Sequence, residues 1–227
     1  MKAFILAAGK GERMRPLTDH IPKPLLPVGE HTLIDRHIEK LVAAGIGDIV
    51  INVAYLGHLI EQHVGDGSRY GASVTFSREP EPLETAGAIA YAAPLLGEAP
   101  FLLVNGDVWC DVDYAPLVSC ATQLPQGGGH LLLVNNPEHN PEGDFALQAG
   151  RLALKSANAA AYTFSGVSVI SPALVMEYPK RRRIFPLAEV LYWGIAADCL
   201  AAELYAGYWL DVGTPARLEQ LCGHLGV

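Results

Sequence analysis

Short apolar runs alternating with stretches of helical spacing predict an α/β fold. The expected form is a Rossmann-like, mainly parallel sheet flanked by helices, with a small antiparallel β insertion. Two observations carry this expectation. The apolar runs have no polar face, as strands covered on both sides require. The intervals between them hold helical patterns of roughly ten residues, enough for parallel crossovers.

Each element has its own signal. Lys2 to Leu6 is an apolar run that meets Ala-Ala-Gly and reads as a first buried strand. From Leu33 to Ala44 apolar residues recur at helical spacing, and Gly45 follows as a C-cap would. Asp48 to Val53 is a second strand, Gly57 to Val64 a short helix, and Ala72 to Phe76 a third strand. Thr85 to Leu96 is alanine-rich and helical, and Phe101 to Val104 is a fourth strand running into Asn105-Gly106-Asp107. Leu131 to Val134 continues the series. The region from Phe145 to Ile170 reads differently: a hairpin turning at Ala149-Gly150, then the run Tyr162 to Ile170, taken together as the antiparallel insertion. Helices are expected from Ser171-Pro172 and over Pro186 to Trp193, and a late strand over Trp209 to Val212. A last helix has Thr214 as N-cap and Pro215 at its first position. The expected organisation is one domain over residues 1–227, in two parts near 1–110 and 111–227.

Composition removes several function classes. With 24 acidic and 16 basic side chains the net charge is -8, a poor match to nucleic acid or to an anionic membrane. The four cysteines, Cys110, Cys120, Cys199 and Cys222, have no metal-ligand spacing and read as reduced thiols. The opening apolar run is too short for a signal peptide, and no window of about 18 apolar residues occurs. A soluble, cytoplasmic protein is expected. Lys180 to Arg183 is a lone basic run and reads as a solvated loop. The sequence sets no oligomeric state.

Chemistry concentrates in four segments. In Leu6-Ala7-Ala8-Gly9-Lys10-Gly11-Glu12-Arg13-Met14-Arg15-Pro16-Leu17-Thr18, followed by Pro22-Lys23-Pro24-Leu25, the loop leaves the first strand at the carboxyl edge, where open α/β sheets bind ligands. Gly9 and Gly11 let backbone N–H groups approach a phosphate, and Arg13, Arg15 and Lys23 add positive charge. There is no GxxxxGK[ST], and the third glycine of the dinucleotide fingerprint is missing. Val104-Asn105-Gly106-Asp107 puts a carboxylate at the end of the fourth strand, facing that loop. Alone it would be an ordinary turn residue; beside a phosphate loop it is a candidate Mg²⁺ ligand. Trp209-Leu210-Asp211-Val212-Gly213-Thr214 supplies a second strand-end carboxylate. Glu79-Pro80-Glu81-Pro82-Leu83-Glu84-Thr85-Ala86-Gly87 opens a helix, where Thr85 and the backbone near Gly87 could meet a base edge.

Taken together, LAAGKGERMRPLT…PKPL, LETAGA, VNGD and WLDVGT resemble, in this order, the signature of the sugar-1-phosphate nucleotidyltransferases. The resemblance spans nearly the whole chain. It implies the nucleotide-diphospho-sugar transferase fold and a nucleoside triphosphate, expected to be UTP, reacting with a sugar-1-phosphate and Mg²⁺. It implies that Leu6, Ala7, Ala8, Gly9, Gly11 and Glu12 line the nucleotide. Arg13 would hold pyrophosphate and Lys23 the α-phosphate, making these two the catalytic cations. Glu79, Thr85 and Gly87 would surround the base, Asn105 would lie near ribose or sugar, and Asp107 and Asp211 would bind the metal. Larger members often have a Glu-Lys-Pro stretch whose lysine binds the sugar phosphate. The region around Gly143-Asp144-Phe145 has none, so Asp144 is the expected sugar contact, with Gly143 allowing close approach. Phe145, Tyr162 and Phe164 are candidates to shape the acceptor pocket. Other acceptors stay open at this point: hexose-1-phosphates with UTP, dTTP or GTP, or phosphocholine with CTP. So does a non-catalytic nucleotide-sensing relative, although Arg13, Lys23, Asp107 and Asp211 are all present.

Overall fold

The computed structural model describes residues 1–157 and 159–227. In chain order the strands are β1 (Ala3–Leu6), β2 (Pro27–Val28), β3 (His31–Thr32), β4 (Asp48–Val53), β5 (Ser73–Arg78), β6 (Phe101–Asn105), β7 (Val108–Cys110), β8 (Gly129–Val134), β9 (Phe145–Gln148), β10 (Arg151–Ala153), β11 (Ala161–Ile170), β12 (Leu200–Tyr205) and β13 (Trp209–Asp211). The helices are α1 (Leu33–Ala43), α2 (Gly57–Val64), α3 (Glu84–Leu96), α4 (Tyr114–Cys120), α5 (Pro172–Met176), α6 (Leu187–Ala196) and α7 (Pro215–Leu225).

Nine strands form one sheet in the order β5-β4-β1-β6-β11-β8-β12-β10-β9. The first four are parallel, as their apolar faces predict. Phe4 and Leu103 point into one apolar cluster, under α3, α5 and α6. Ala3, Ile5 and Val104 point into the other, with residues of α1, α2 and α4. The α/β class therefore holds, but the antiparallel part is not an appendage. β11 sits mid-sheet, antiparallel to β6 over Val167–Ile170 and to β8 along both of its halves. At its other end Ala161 and Tyr162 pair with β9 instead. Since β9 also pairs with β10, and β10 with β12, the strands β8, β11, β9, β10 and β12 close into a ring. Gly166, at φ 80°, lies in the irregularity where β11 leaves β6 for β9. That switch point positions both cavities described below.

Five elements were not expected. β12 reads Leu-Ala-Ala-Glu-Leu-Tyr, whose alanines and glutamate have poor strand propensity, so its place is set by pairing with β8. β7 pairs with the expected late strand β13 in a two-stranded antiparallel ribbon. The others are the brief pair β2–β3 and the helix α4, started by the Asp113 side chain.

The start of α1 carries the most densely bonded carboxylate. Thr32 and Asp35 form a reciprocal capping box, and Asp35 also accepts from His63, Arg69 and Tyr70. Burial pushes its carboxyl up, but hydrogen bonds from Tyr70, Thr32 and His63 outweigh that and hold it at about 2, against an ordinary 3.8. A depressed acid stabilises the fold above its unfolded value, and that contribution disappears as pH falls through the folded value. Asp35→Asn is therefore expected to lose about 2 kcal/mol at pH 7. Urea unfolding should show the gap to the parent protein closing between pH 4 and 2; a gap independent of pH would contradict this origin.

Candidate active site

The site is built on the carboxyl ends of β1, β4 and β6. The chain leaving β1 is held by a relay: Ala7 N–H donates to Asn52 Oδ1 at 2.6 Å, and Asn52 Nδ2 donates to Glu79 Oε1 at 2.7 Å. Leu83 N–H donates to the other oxygen of Glu79 at 3.1 Å. Glu79 is thus spent on shaping the loops, and its burial pushes its pKa up. Asn52, at the end of β4, was not foreseen. Further on, Gly11 has φ 64°, and a Cβ there would press on Thr18 and Lys23. Thr18 is buried and donates to Gly11 O. The tight return brings Lys23 back under the loop.

These segments enclose a cleft of about 740 Å³. Of the residues predicted for the nucleotide, Leu6, Ala7, Ala8, Gly9, Gly11, Glu12, Arg13, Lys23, Glu79, Thr85 and Asn105 all line it. Lys10, Asn52, Glu81, Glu84, Asp107 and Gly213 line it as well. Gly87 does not. It lies inside α3, where its N–H donates to Phe185 O and a Cβ would meet Arg183 O at 2.6 Å. Its role is close packing of the helix against residues 183–185. The basic run 180–183 is exposed, as expected, yet Arg183 pairs with Glu81 on the rim of the cleft.

The two aspartates are brought together by the β7–β13 ribbon, which extends as Val212 N–H donates to Asp107 O. Gly106 permits the turn: its N–H bonds Leu6 O, and a Cβ would come within 2.5 Å of that oxygen. Asp107 Oδ2 accepts from Lys23 Nζ at 2.9 Å. Lys23 is buried, so one of its three donors is fixed and two remain for substrate. Asp211 Oδ2 faces Arg217 at 2.8 Å, His139 at 3.4 Å and Arg13 at 3.7 Å. Arg217 and His139 gave no signal in the sequence, because α7 and the loop before Gly143 reach the site only through topology.

Fit to a hard cation can be judged from the donors. Asp211 Oδ1 is buried and has no hydrogen-bond partner among the described residues. No group of three or more His, Cys, Asp or Glu suited to a metal occurs among those residues, so a closed protein cage is not formed. Two carboxylates beside a phosphate cleft are the donor set Mg²⁺ takes, with substrate oxygens completing it. The residues fit.

A second cavity of about 320 Å³ adjoins the first and shares Thr85 and Asn105 with it. Asp144, Phe145, Lys155, Phe164, Leu187, Leu191 and Tyr192 line it. Gly143 and Tyr162 do not. Gly143, at φ 60°, packs against Asn136 and the backbone of residues 161–162. Asp144 accepts from Phe164 N–H and Asn140 Nδ2. Its first role is to hold the rim. Residues 143–145 carry no lysine, as read, but Lys155 reaches them from further along the chain, its Nζ donating to Gly143 O at 2.8 Å. The hairpin register could have revealed it. With Leu152 opposite Leu147 and Ala153 opposite Ala146, continuing the count brings Lys155 level with Asp144.

Asn105 stands where the cavities meet. Its Oδ1 is buried without a partner among the described residues, and Gly166 lies against it. A Cβ at Gly166 would reach within 2.9 Å of the Asn105 side chain, at a φ unsuited to alanine. Gly166→Ala should displace that amide and lower kcat/KM by about tenfold or more while also lowering Tm. Full activity in this variant would remove Asn105 from the site.

The nucleotidyl transferase family model matches residues 2–145. N-acetylmuramate alpha-1-phosphate uridylyltransferase of Neisseria meningitidis serogroup B is 47% identical over 223 residues, covering 97% of this chain and 96% of that protein. The chain belongs to the nucleotidyl transferase family. A mannose-1-phosphate guanyltransferase of Hypocrea jecorina is 31% identical over 95% of this chain, which spans 61% of that protein's length. Among solved structures, HddC of Yersinia pseudotuberculosis complexed with GMP-PN superposes with a TM-score of 0.80 at 23% identity, covering 99% of both chains. A Bacillus anthracis protein solved with a sucrose gives a TM-score of 0.87 at 23% identity, over 99% of this chain and 94% of that one. These two likenesses establish the nucleotide-diphospho-sugar transferase fold.

Proposed function

We propose that this protein transfers a uridylyl group from UTP to N-acetylmuramate α-1-phosphate, with Mg²⁺ as cofactor, in the recycling of cell-wall sugar. The observation that carries the reading is the pair of cavities joined at Thr85 and Asn105, one edged by Lys10, Arg13 and Lys23, the other walled by aromatic and aliphatic side chains. The 47% identity to the Neisseria uridylyltransferase supports the choice of substrates. In this reading residues near 1–110 bind the nucleotide and residues near 111–227 the sugar, within one domain. Four free cysteines fit a reducing compartment, the cytoplasm. No helix among the described residues is long and apolar enough to cross a membrane.

In the reaction an oxygen of the acceptor phosphate attacks the α-phosphorus of UTP. The bond from that phosphorus to the oxygen of the β-phosphate breaks, and pyrophosphate leaves with the electron pair. The attacking phosphate is already an anion near neutral pH, so no side chain has to take a proton. The barrier is repulsion between two polyanions, and the protein's task is positioning and charge neutralisation. Lys23 offers its two free donors to the reacting phosphates, and Arg13, whose side chain is 63% exposed, is free to close on the leaving group. Mg²⁺ held by Asp107 and Asp211 would draw the phosphate oxygens together and screen their charge.

At the acceptor end, Phe145, Phe164, Leu187 and Leu191 suit an acetyl methyl, and Lys155 is the cation among the lining residues. N-acetylmuramate carries a carboxylate besides its phosphate, so a cation here is needed. Lys155→Met should raise the acceptor KM about tenfold while leaving the UTP KM unchanged. Equal effects on both would contradict the placement.

The reading is tested by pyrophosphate release over a matrix of nucleoside triphosphates and sugar-1-phosphates with Mg²⁺. UTP with N-acetylmuramate α-1-phosphate should give the highest kcat/KM. Turnover only with GTP or dTTP and a hexose-1-phosphate would overturn the substrates and leave the family.

A further inference from the structure

We propose that Arg217 is a positioning residue: it pins Oδ2 of Asp211 so that Oδ1 stays directed for a cation and Arg13 stays free for the leaving phosphates. This rests on the metal reading above. Of the two oxygens of Asp211, Oδ2 faces Arg217, His139 and Arg13, while Oδ1 is buried with no hydrogen-bond partner among the described residues. Arg217 is the nearest of the three. Its Nη1 lies 2.8 Å from Oδ2 and 3.3 Å from the backbone oxygen of the same residue, so it grips both side chain and main chain.

The grip is preset by α7. Thr214 caps the helix onto Arg217 N–H, and Pro215 fixes the first helical position. Arg217 therefore projects from a rigid first turn. Arg13, by contrast, hangs from a loop, largely exposed, and its Nη1 is 3.7 Å from the same oxygen. Gly213 keeps a side chain away from Oδ1: a Cβ there would come within 2.9 Å of both Oδ1 and Arg13 Nη1. A carboxylate held on one oxygen by a fixed charged donor and left without a hydrogen bond on the other is an oriented ligand, and such supporting partners change metal affinity by 10- to 100-fold. Without Arg217, Arg13 is the nearest permanently charged group to Oδ2, and moving there takes it from the phosphates.

The test measures Mn²⁺ binding to the substrate-free protein by electron paramagnetic resonance, with Tm and steady-state kinetics alongside. Arg217→Gln should weaken Mn²⁺ at least tenfold and lower kcat, with the acceptor KM unchanged. Arg217→Lys, which replaces a nitrogen held in a rigid plane by a freely rotating ammonium, should weaken Mn²⁺ two- to fivefold at the parent Tm. If the glutamine variant does not fold, the lysine variant decides alone. Parent-like Mn²⁺ affinity in whichever folded variant is measured overturns the proposal. Asp107→Asn separates the two readings. If it loses Mn²⁺ while the Arg217 variants keep it, only the role of Arg217 fails; if it also binds like the parent, the metal reading itself fails.

Discussion

Asp107→Asn is expected to lower kcat at least 100-fold, about 2.7 kcal/mol in the barrier. The substitution keeps the side-chain shape and an oxygen for Lys23, but removes the charge of the aspartate that lines the cleft beside Asp211. The loss should be accompanied by a higher Mg²⁺ requirement, read from initial rates against metal concentration. Fold effects should be small, since the Asp107 side chain is 41% exposed and its backbone bond to Val212 is untouched. A variant with parent-like kcat at low Mg²⁺ would remove Asp107 from the site.

Lys23→Met should be at least as damaging, through a different term. Lys23 is the one cation of the cleft that is both buried and fixed. Methionine keeps its volume under Gly11 and removes its charge. Two phosphate contacts made in the transition state would be lost, an expected 100- to 1000-fold fall in kcat. Lys23→Arg should not restore full activity, because a planar fork cannot present donors to Asp107 and to the cleft from one point as the ammonium does. Substantial activity in the methionine variant, measured by pyrophosphate release at saturating substrates, would contradict the role.

What the sequence revealed follows from how local each signal is. β1, β4 and β6 announce themselves because both faces are apolar, and the loop from Gly9 to Lys23 because its chemistry is consecutive. β12 was hidden by weak propensity, and the central place of β11 by the assumption that antiparallel pairs sit apart. Residues that act across elements were the ones missed: Asn52 holding the first loop, Arg217 against Asp211, and Lys155 in the second cavity. Gly87 erred the other way. It lies in a motif that touches the cleft at Thr85, yet the helical turn points it at residues 183–185. Asp144 was found for its place, and the structure spends its carboxylate on Phe164 and Asn140.

The central claim is transfer at the α-phosphorus between two joined cavities. It is tested most directly by isotope position. With N-acetylmuramate α-1-phosphate and Mg²⁺, UTP labelled with ³²P at the α-position should deliver its label to the sugar nucleotide. UTP labelled at the γ-position should deliver it only to pyrophosphate. Label from the γ-position in an organic product, or no labelled sugar nucleotide from the α-position, would contradict the account.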